Sequence, residues 1–345
     1  MTMKHKVLWG VLLIAGIFVG CTSQSVEKQD VGFSVTTSGD STIVTVMSPW
    51  QENTVMARYA ITEPYQRIAC TSATHIGFLQ ELGLMDRVVG VCRPNRIYNL
   101  TDSQRITLTD IGDDMKPNKE AILLAQPDVI VVTTYGEGDI ATAQIESLGI
   151  PVLYCNEWTE NTPLARAEWI RFFGACFGCL DRADSIYNEV AKAYRTCAEQ
   201  TTNKGVTIMS GQSFRSTWYV PTGNTYMGNL FRDAGADYRY MNEPSTSSLP
   251  LTMEQAIQDF AEADVWVGVN ASSLEELAAI DNKHTWFRAY QLEHVYNFAR
   301  RTLSSGANDF WEAGVVHPER ILKDLQTILA NPTTDDSLYF SKRLQ

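Results

Sequence analysis

The sequence predicts an α/β protein of two similar lobes, each on a central parallel sheet, bridged by one long α-helix with a ligand cleft between the lobes. Three observations carry this. Short hydrophobic strand-like runs alternate with short helical patterns twice along the chain, as parallel sheets require. Between the two alternations lies a single amphipathic stripe over residues 163–199. The 345 residues also exceed one core at about 150 residues per domain.

Residues 1–20 read as a secretory signal. Lys4, His5 and Lys6 form a basic start, and residues 7–19 are an apolar run of 13. A bilayer span needs roughly 20 residues, so this is an export signal rather than a membrane helix. Phe18-Val19-Gly20-Cys21 resembles a bacterial lipobox, which implies that Cys21 carries the lipid and anchors the chain to a membrane. Residues 21–65 are then a polar tether followed by an edge hairpin, with strands at 33–37 and 42–46 around Ser38-Gly39-Asp40-Ser41.

The first lobe spans residues 66–160. A strand at 67–70 runs into Thr71-Ser72-Ala73-Thr74-His75 and an apolar helix at 76–82. Strands at 87–91, 129–132 and 152–154 alternate with helices at 118–125 and 141–148. The bridge occupies residues 161–200, where Ile170, Phe173, Phe177, Leu180, Ala183, Tyr187, Val190 and Tyr194 recur at helical steps. As one helix it would reach about 50 Å. Gly174 and Gly178 would let it press against a sheet.

The second lobe, residues 201–332, restarts the pattern: strand 206–209, helix 225–234, helix 253–260 and strand 265–269, with a tail at 333–345. Residues 254–269 echo residues 120–132. Each stretch has a Glu in the first helical turn, a short helix, an Asp and a buried-type strand.

Composition narrows function. Apolar residues at 44% can build a core. A net charge of −12 argues against nucleic acid, whose phosphates call for dense Lys and Arg. Besides Cys21 there are six cysteines, Cys70, Cys92, Cys155, Cys176, Cys179 and Cys197, an even set permitting up to three disulfides. Cys176-Phe177-Gly178-Cys179 has redox spacing but falls mid-helix, where no helix N-terminus stabilises a thiolate, so packing is expected. His75, His284, His294 and His317 have no Gly-x-Ser-x-Gly elbow beside them, and Glu293-His294 lacks the second His of a zinc protease helix. No phosphate-cradling glycine loop is present. An enzyme is not expected.

The ordered segments Arg67-Ile68-Ala69-Cys70-Thr71-Ser72, Val88-Val89-Gly90-Val91, residues 118–132, Leu148-Gly149-Ile150-Pro151-Val152, Pro163-Leu164-Ala165-Arg166-Ala167-Glu168-Trp169, Asp233-Ala234-Gly235 and residues 251–269 are similar to a known family. Over roughly residues 65–330 the chain resembles the substrate-binding lipoproteins of iron-chelate and cobalamin ABC importers. The resemblance implies a monomer in the cell envelope, facing the periplasm on a lipid anchor. It would deliver a ferric siderophore, haem or cobalamin to an ABC permease and its ATPase. No resident cofactor or protein-held metal is implied.

The resemblance also places the cleft loops, each at the carboxyl end of a strand, where open α/β sheets hold ligands. They offer His75, Arg93, Arg96, Tyr98, Tyr135, Trp158, Arg215, Trp218, Tyr219 and Trp311. Aromatic faces with several guanidiniums suit a large flat ligand bearing anionic or carbonyl oxygens. That favours a ferric-siderophore-type chelate, while haem could take His75, Tyr98 or Tyr135 as axial ligand. A free zinc or manganese receptor would want several His and carboxylates in the cleft, where only His75 is expected. The resemblance further implies that Glu120 and Glu254, one per lobe, pair with permease arginines. A first-turn Glu is equally favoured by the helix dipole, by about 0.3–1 kcal/mol.

Overall fold

A computed structural model describes residues 31–202 and 205–345; the expected signal, Cys21 and the tether up to Asp30 lie outside the described residues. Past them, strands Phe33–Ser38, Ser41–Met47 and Val55–Ile61 form an antiparallel sheet. The expected hairpin thus has a third strand, Val55–Ile61, in which only Ile61 is buried, so it shows little hydrophobic alternation.

The first lobe centres on five parallel strands in the order Val152–Tyr154, Val129–Val132, Ile68–Cys70, Val88–Val91, Thr109–Asp110. Val129–Val132 is buried at every position, as a strand covered on both faces must be. The second lobe repeats the plan with Asp237–Tyr238, Thr207–Ser210, Val265–Val267 and Val295–Asn297 in parallel. Lys342–Arg343 closes that sheet as an antiparallel edge. Residues 333–345 are therefore not a free tail. Phe340 and Leu344 are buried in the second core, and Asp324 accepts the backbone N–H groups of Tyr339, Phe340 and Ser341.

The bridge is shorter than its stripe suggested. It comprises helices Pro163–Glu168, Ile170–Phe177 and Leu180–Glu199, broken at Gly178, whose φ is +76°. Pro64 packs on Gly178 so closely that a Cβ there would lie 2.5 Å from its ring. Gly174 likewise accommodates Ala183 of the next helix rather than a sheet. The 20-residue helix Leu180–Glu199 runs about 30 Å. Its Ala183, Tyr187 and Ala191 belong to the first core and its Tyr194 to the second, so it still joins the lobes.

A second link crosses back. Val315 and Val316 pack into the first core, although the chain around them belongs to the second lobe. All six described cysteines are free thiols, so no disulfide forms among them. Cys176 is buried packing, with its thiol pushed up by burial.

Candidate functional site

A cavity of about 560 Å³ opens where the two lobes face each other, lined by residues 71–74, Arg93 and Arg96 of the first lobe and by Gly306, Asn308 and Trp311 of the second. A second cavity of about 560 Å³ adjoins it on the second lobe, lined by Asn270, Asn297 and Phe298 and again by Asn308 and Trp311. The shared pair makes one cleft, with Trp311 between its halves and 56% exposed. Phe310 seats that indole edge-on at 4.9 Å and itself stacks on Phe298 at 4.6 Å. Helix Ala73–Glu81 begins at the cleft floor, capped by the Ser72 hydroxyl, so its positive end faces the cavity.

The first-lobe wall is charged. Arg93, at φ +49°, forks to Asp113 at 3.0 Å and Asp114 at 2.8 Å. The Tyr135 hydroxyl donates to the other oxygen of Asp114 at 2.7 Å; burial, and then this carboxylate, push its pKa up. Arg96 has no carboxylate partner among the described residues. Its guanidinium lies against Gly306 across the cleft, where a side chain would meet Nη1 at 2.5 Å.

Behind this wall the lobes are clamped together. Glu312, wholly buried, accepts the backbone N–H groups of Tyr98 and Asn99. Asn99 Nδ2 donates to Asp309 at 2.6 Å and to Glu312 at 3.0 Å. Burial pushes the Glu312 carboxyl up to about 7, opposed by the two N–H groups and reinforced by Asp309. Arg301 pairs with Asp309 at 2.6 Å and lies over the Tyr98 ring at 5.2 Å, so Tyr98 belongs to this clamp.

Of the expected ligand residues, Arg93, Arg96 and Trp311 line the cleft, and Tyr135 joins them through Asp114. Trp158 is half exposed but lines a separate groove beside Trp50 and Tyr226, meeting Tyr135 at 5.8 Å. Arg215 and Tyr219 are exposed on the hairpin Ser213–Phe214 and Thr217–Val220 and line neither half of the cleft.

Trp218 and His75 need correction. Strand alternation turns Tyr219 outward and Trp218 inward, where its ring lies 5.4 Å from Trp266 and its Nε1 donates to Ser210 O. His75 is helical and fully buried, beneath the cleft rather than in it, beside Cys155 and Glu157. It is not placed to be an axial ligand for a haem in the cleft.

Asp114, Phe298 and Glu312 were passed over by sequence reasoning. An Asp pair just behind Gly112, whose φ is +99°, was the only local signal for the first. Glu120 and Glu254 are both exposed in the first turns of Lys119–Ala125 and Met253–Phe260. Glu254 lies 3.5 Å from Lys283, whereas Glu120 has no ionic partner among the described residues.

Comparison with known proteins gives a consistent result. Residues 68–301 match the family described as periplasmic binding protein. An uncharacterized lipoprotein of Methanocaldococcus jannaschii is 27% identical over 281 residues, 78% of this chain and 66% of that protein. The chain spans at most about two thirds of the length of the curated relatives it matches. A periplasmic haem-binding protein of Pseudomonas aeruginosa superposes with a TM-score of 0.61 at 16% identity, covering 81% of this chain and 98% of that one. A siderophore-binding protein solved with acinetobactin and ferric iron gives 0.58 at 14% identity, covering 83% and 98%. At such identities the likeness is one of fold.

Proposed function

The chain belongs to the periplasmic binding protein family, and on that premise we propose that it captures a ferric-siderophore-type chelate outside the cytoplasm and hands it to an ABC permease. The cleft carries this reading. Arg96 is an exposed guanidinium without a carboxylate partner among the described residues, Arg93 stands beside it, and the Trp311 indole faces both halves of the cavity. Such a wall suits a flat or greasy ligand with anionic oxygens, because guanidinium binds oxygens bidentately and the indole face covers apolar surface. Proteins of this fold include both haem and ferric-siderophore binders, so the choice of ligand class rests on the guanidiniums of the cleft.

The mechanism needs no chemistry on the ligand. Two lobes linked by Leu180–Glu199 and by the Asp309–Glu312 clamp can close only modestly, so the cleft is largely pre-formed. A pre-formed cleft limits the ordering cost of binding. We assign Glu120 and Glu254 to permease docking and Cys21 to the lipid anchor. Among the described residues no helix is long and apolar enough to cross a membrane.

Tryptophan fluorescence decides the ligand. The protein is titrated side by side with a ferric siderophore, the iron-free siderophore, haemin and cobalamin. Saturable submicromolar quenching by the ferric form alone is expected. Quenching only by haemin or cobalamin would overturn the siderophore assignment while keeping the transport reading.

A further inference from the structure

The first lobe buries a polar cluster that the cleft does not use. His75, Cys155 and Glu157 are 0%, 0% and 1% exposed. A ring nitrogen, the thiol sulfur and a carboxylate oxygen all lie within 4.8 Å of one another. His75 comes from the first turn of Ala73–Glu81, while Cys155 and Glu157 follow the strand Val152–Tyr154.

As it stands, the cluster is incomplete in charge and in hydrogen bonding. Glu157 has no cationic side chain in ion-pair contact among the described residues; the Cys155 thiol donates to its carboxylate at 3.4 Å. A carboxylate taken out of water without a counter-charge is costly. The Thr133 hydroxyl donates to Cys155 O at 3.4 Å, so it accepts from His75 Nε2–H at 3.1 Å. This hydrogen bond leaves Nδ1 as a bare lone pair, buried and without a partner. In the second lobe the buried His284 shows the contrast, with Nδ1 against Leu277 O at 2.7 Å and Nε2 accepting from Ser213 N at 3.4 Å.

We propose that His75, Cys155 and Glu157 bind one divalent cation of the zinc class, resident inside the first lobe and separate from the cargo of the cleft. The donor set fits. Imidazole, thiolate and carboxylate together suit zinc with a water in the fourth position, and the two anionic ligands balance its charge once the thiol proton has left to solvent. With Nδ1 as the ligating nitrogen, Thr133 would hold the imidazole by Nε2, as outer-shell partners of metal-bound histidines do. Ligand atoms around tetrahedral zinc sit roughly 3.5 Å apart, so the cluster draws in by about 1 Å. The cation would brace the two loops that lead to Tyr135 and Trp158. It does not depend on which chelate the cleft takes.

Because the cluster is buried, metal entry is coupled to folding. The test therefore uses the full chain, both as purified from zinc-supplemented cells and after refolding under reducing conditions with Co²⁺. Metal is counted by mass spectrometry, and thiolate ligation is read from the near-ultraviolet sulfur-to-cobalt band. About one equivalent of metal is expected, with the band present. Cys155→Ser should abolish the band, His75→Gln should shift the visible cobalt bands and weaken binding at least about tenfold, and Cys179→Ser should change neither. Circular dichroism checks that each variant folds; should Cys155→Ser not fold, His75→Gln keeps the thiolate and carries the test. Less than about 0.1 equivalent in the wild-type chain by both routes would overturn the proposal. So would a band that survives Cys155→Ser, or cobalt spectra unaltered by His75→Gln.

Discussion

The two lobes use one structural device in common and then diverge. In the first, Asp128 accepts the backbone N–H groups of Gln66 and Arg67, both at 3.0 Å, and so ties the start of the neighbouring strand. In the second, Asp264 accepts from Thr207 N at 2.9 Å at the corresponding point. Yet the first-lobe wall of the cleft carries Arg93, Arg96 and Asp114, while the facing wall offers Asn270, Asn297, Phe298 and Trp311, with Glu276 as its one charged residue. Strand starts answer to backbone pairing and must look alike. Loops at strand ends answer only to what they bind, so they are free to differ. The arginine wall should set affinity for an anionic ligand, and the facing wall, Glu276 apart, should supply contact area.

Docking breaks or sharpens this comparison most strongly, since both lobes are expected to contribute equally placed carboxylates. Glu120→Ala combined with Glu254→Ala should abolish uptake of radiolabelled chelate by cells and leave fluorescence-measured affinity unchanged. Glu120→Ala alone should cost more than Glu254→Ala, because Glu254 already shares its charge with Lys283. A tenfold affinity loss in the double variant would sink the docking assignment.

Next comes the asymmetry of the walls. Arg96→Glu should weaken binding of an anionic ferric chelate about 100-fold, roughly 2.7 kcal/mol. Asn270→Ala on the facing wall should cost less than about tenfold. Equal losses from the two, measured in the same titration, would mean that charge is not what distinguishes the walls.

The seam between the lobes gives a stability effect. A Cβ at Gly77 would meet Glu312 O at 2.3 Å, backbone against which no side chain can give way. Gly77→Ala should therefore cost about 3 kcal/mol in a guanidinium titration. Gly136→Ala, with nothing near its Cβ, should stay within about 0.5 kcal/mol.

The smallest effect is a pH dependence at the same seam. Glu312 keeps its proton up to about 7 in the folded protein, against an ordinary 4.5. The folded state then binds the extra proton, so this contribution is full below 4.5 and is lost as pH rises through 7. Stability should fall by about 2 kcal/mol between roughly pH 5.5 and 7.5 on this account. Glu312→Gln should flatten that slope, and an unchanged slope would remove Glu312 as its source.

Much of the scaffold was legible because its causes are local. The continuous apolar run of Val129–Val132, the Asp128 and Asp264 echo, and the loops carrying Arg93, Arg96 and Trp311 follow from residues near one another in sequence. Errors came where one step of phase mattered. A single residue separates the exposed Tyr219 from the buried Trp218. The sequence places His75 in the loop before the helix, whereas it lies inside the first helical turn and is turned into the core.

The sequence by itself determined two α/β lobes and a helical bridge, because periodicity is a property of short stretches. It spread the expected cleft arginines over both lobes, and only the structure set Arg215 outside the cleft that Arg93 and Arg96 line. Only the tertiary structure decided that Pro64 packs on Gly178 where the bridge breaks, that residues 338–344 complete the second core, and that Tyr98 and Glu312 are hydrogen-bonded from 214 residues apart. It alone brought His75 to Cys155 and Glu157. Burial and charge partnership depend on which distant segments meet, and no local pattern records that meeting.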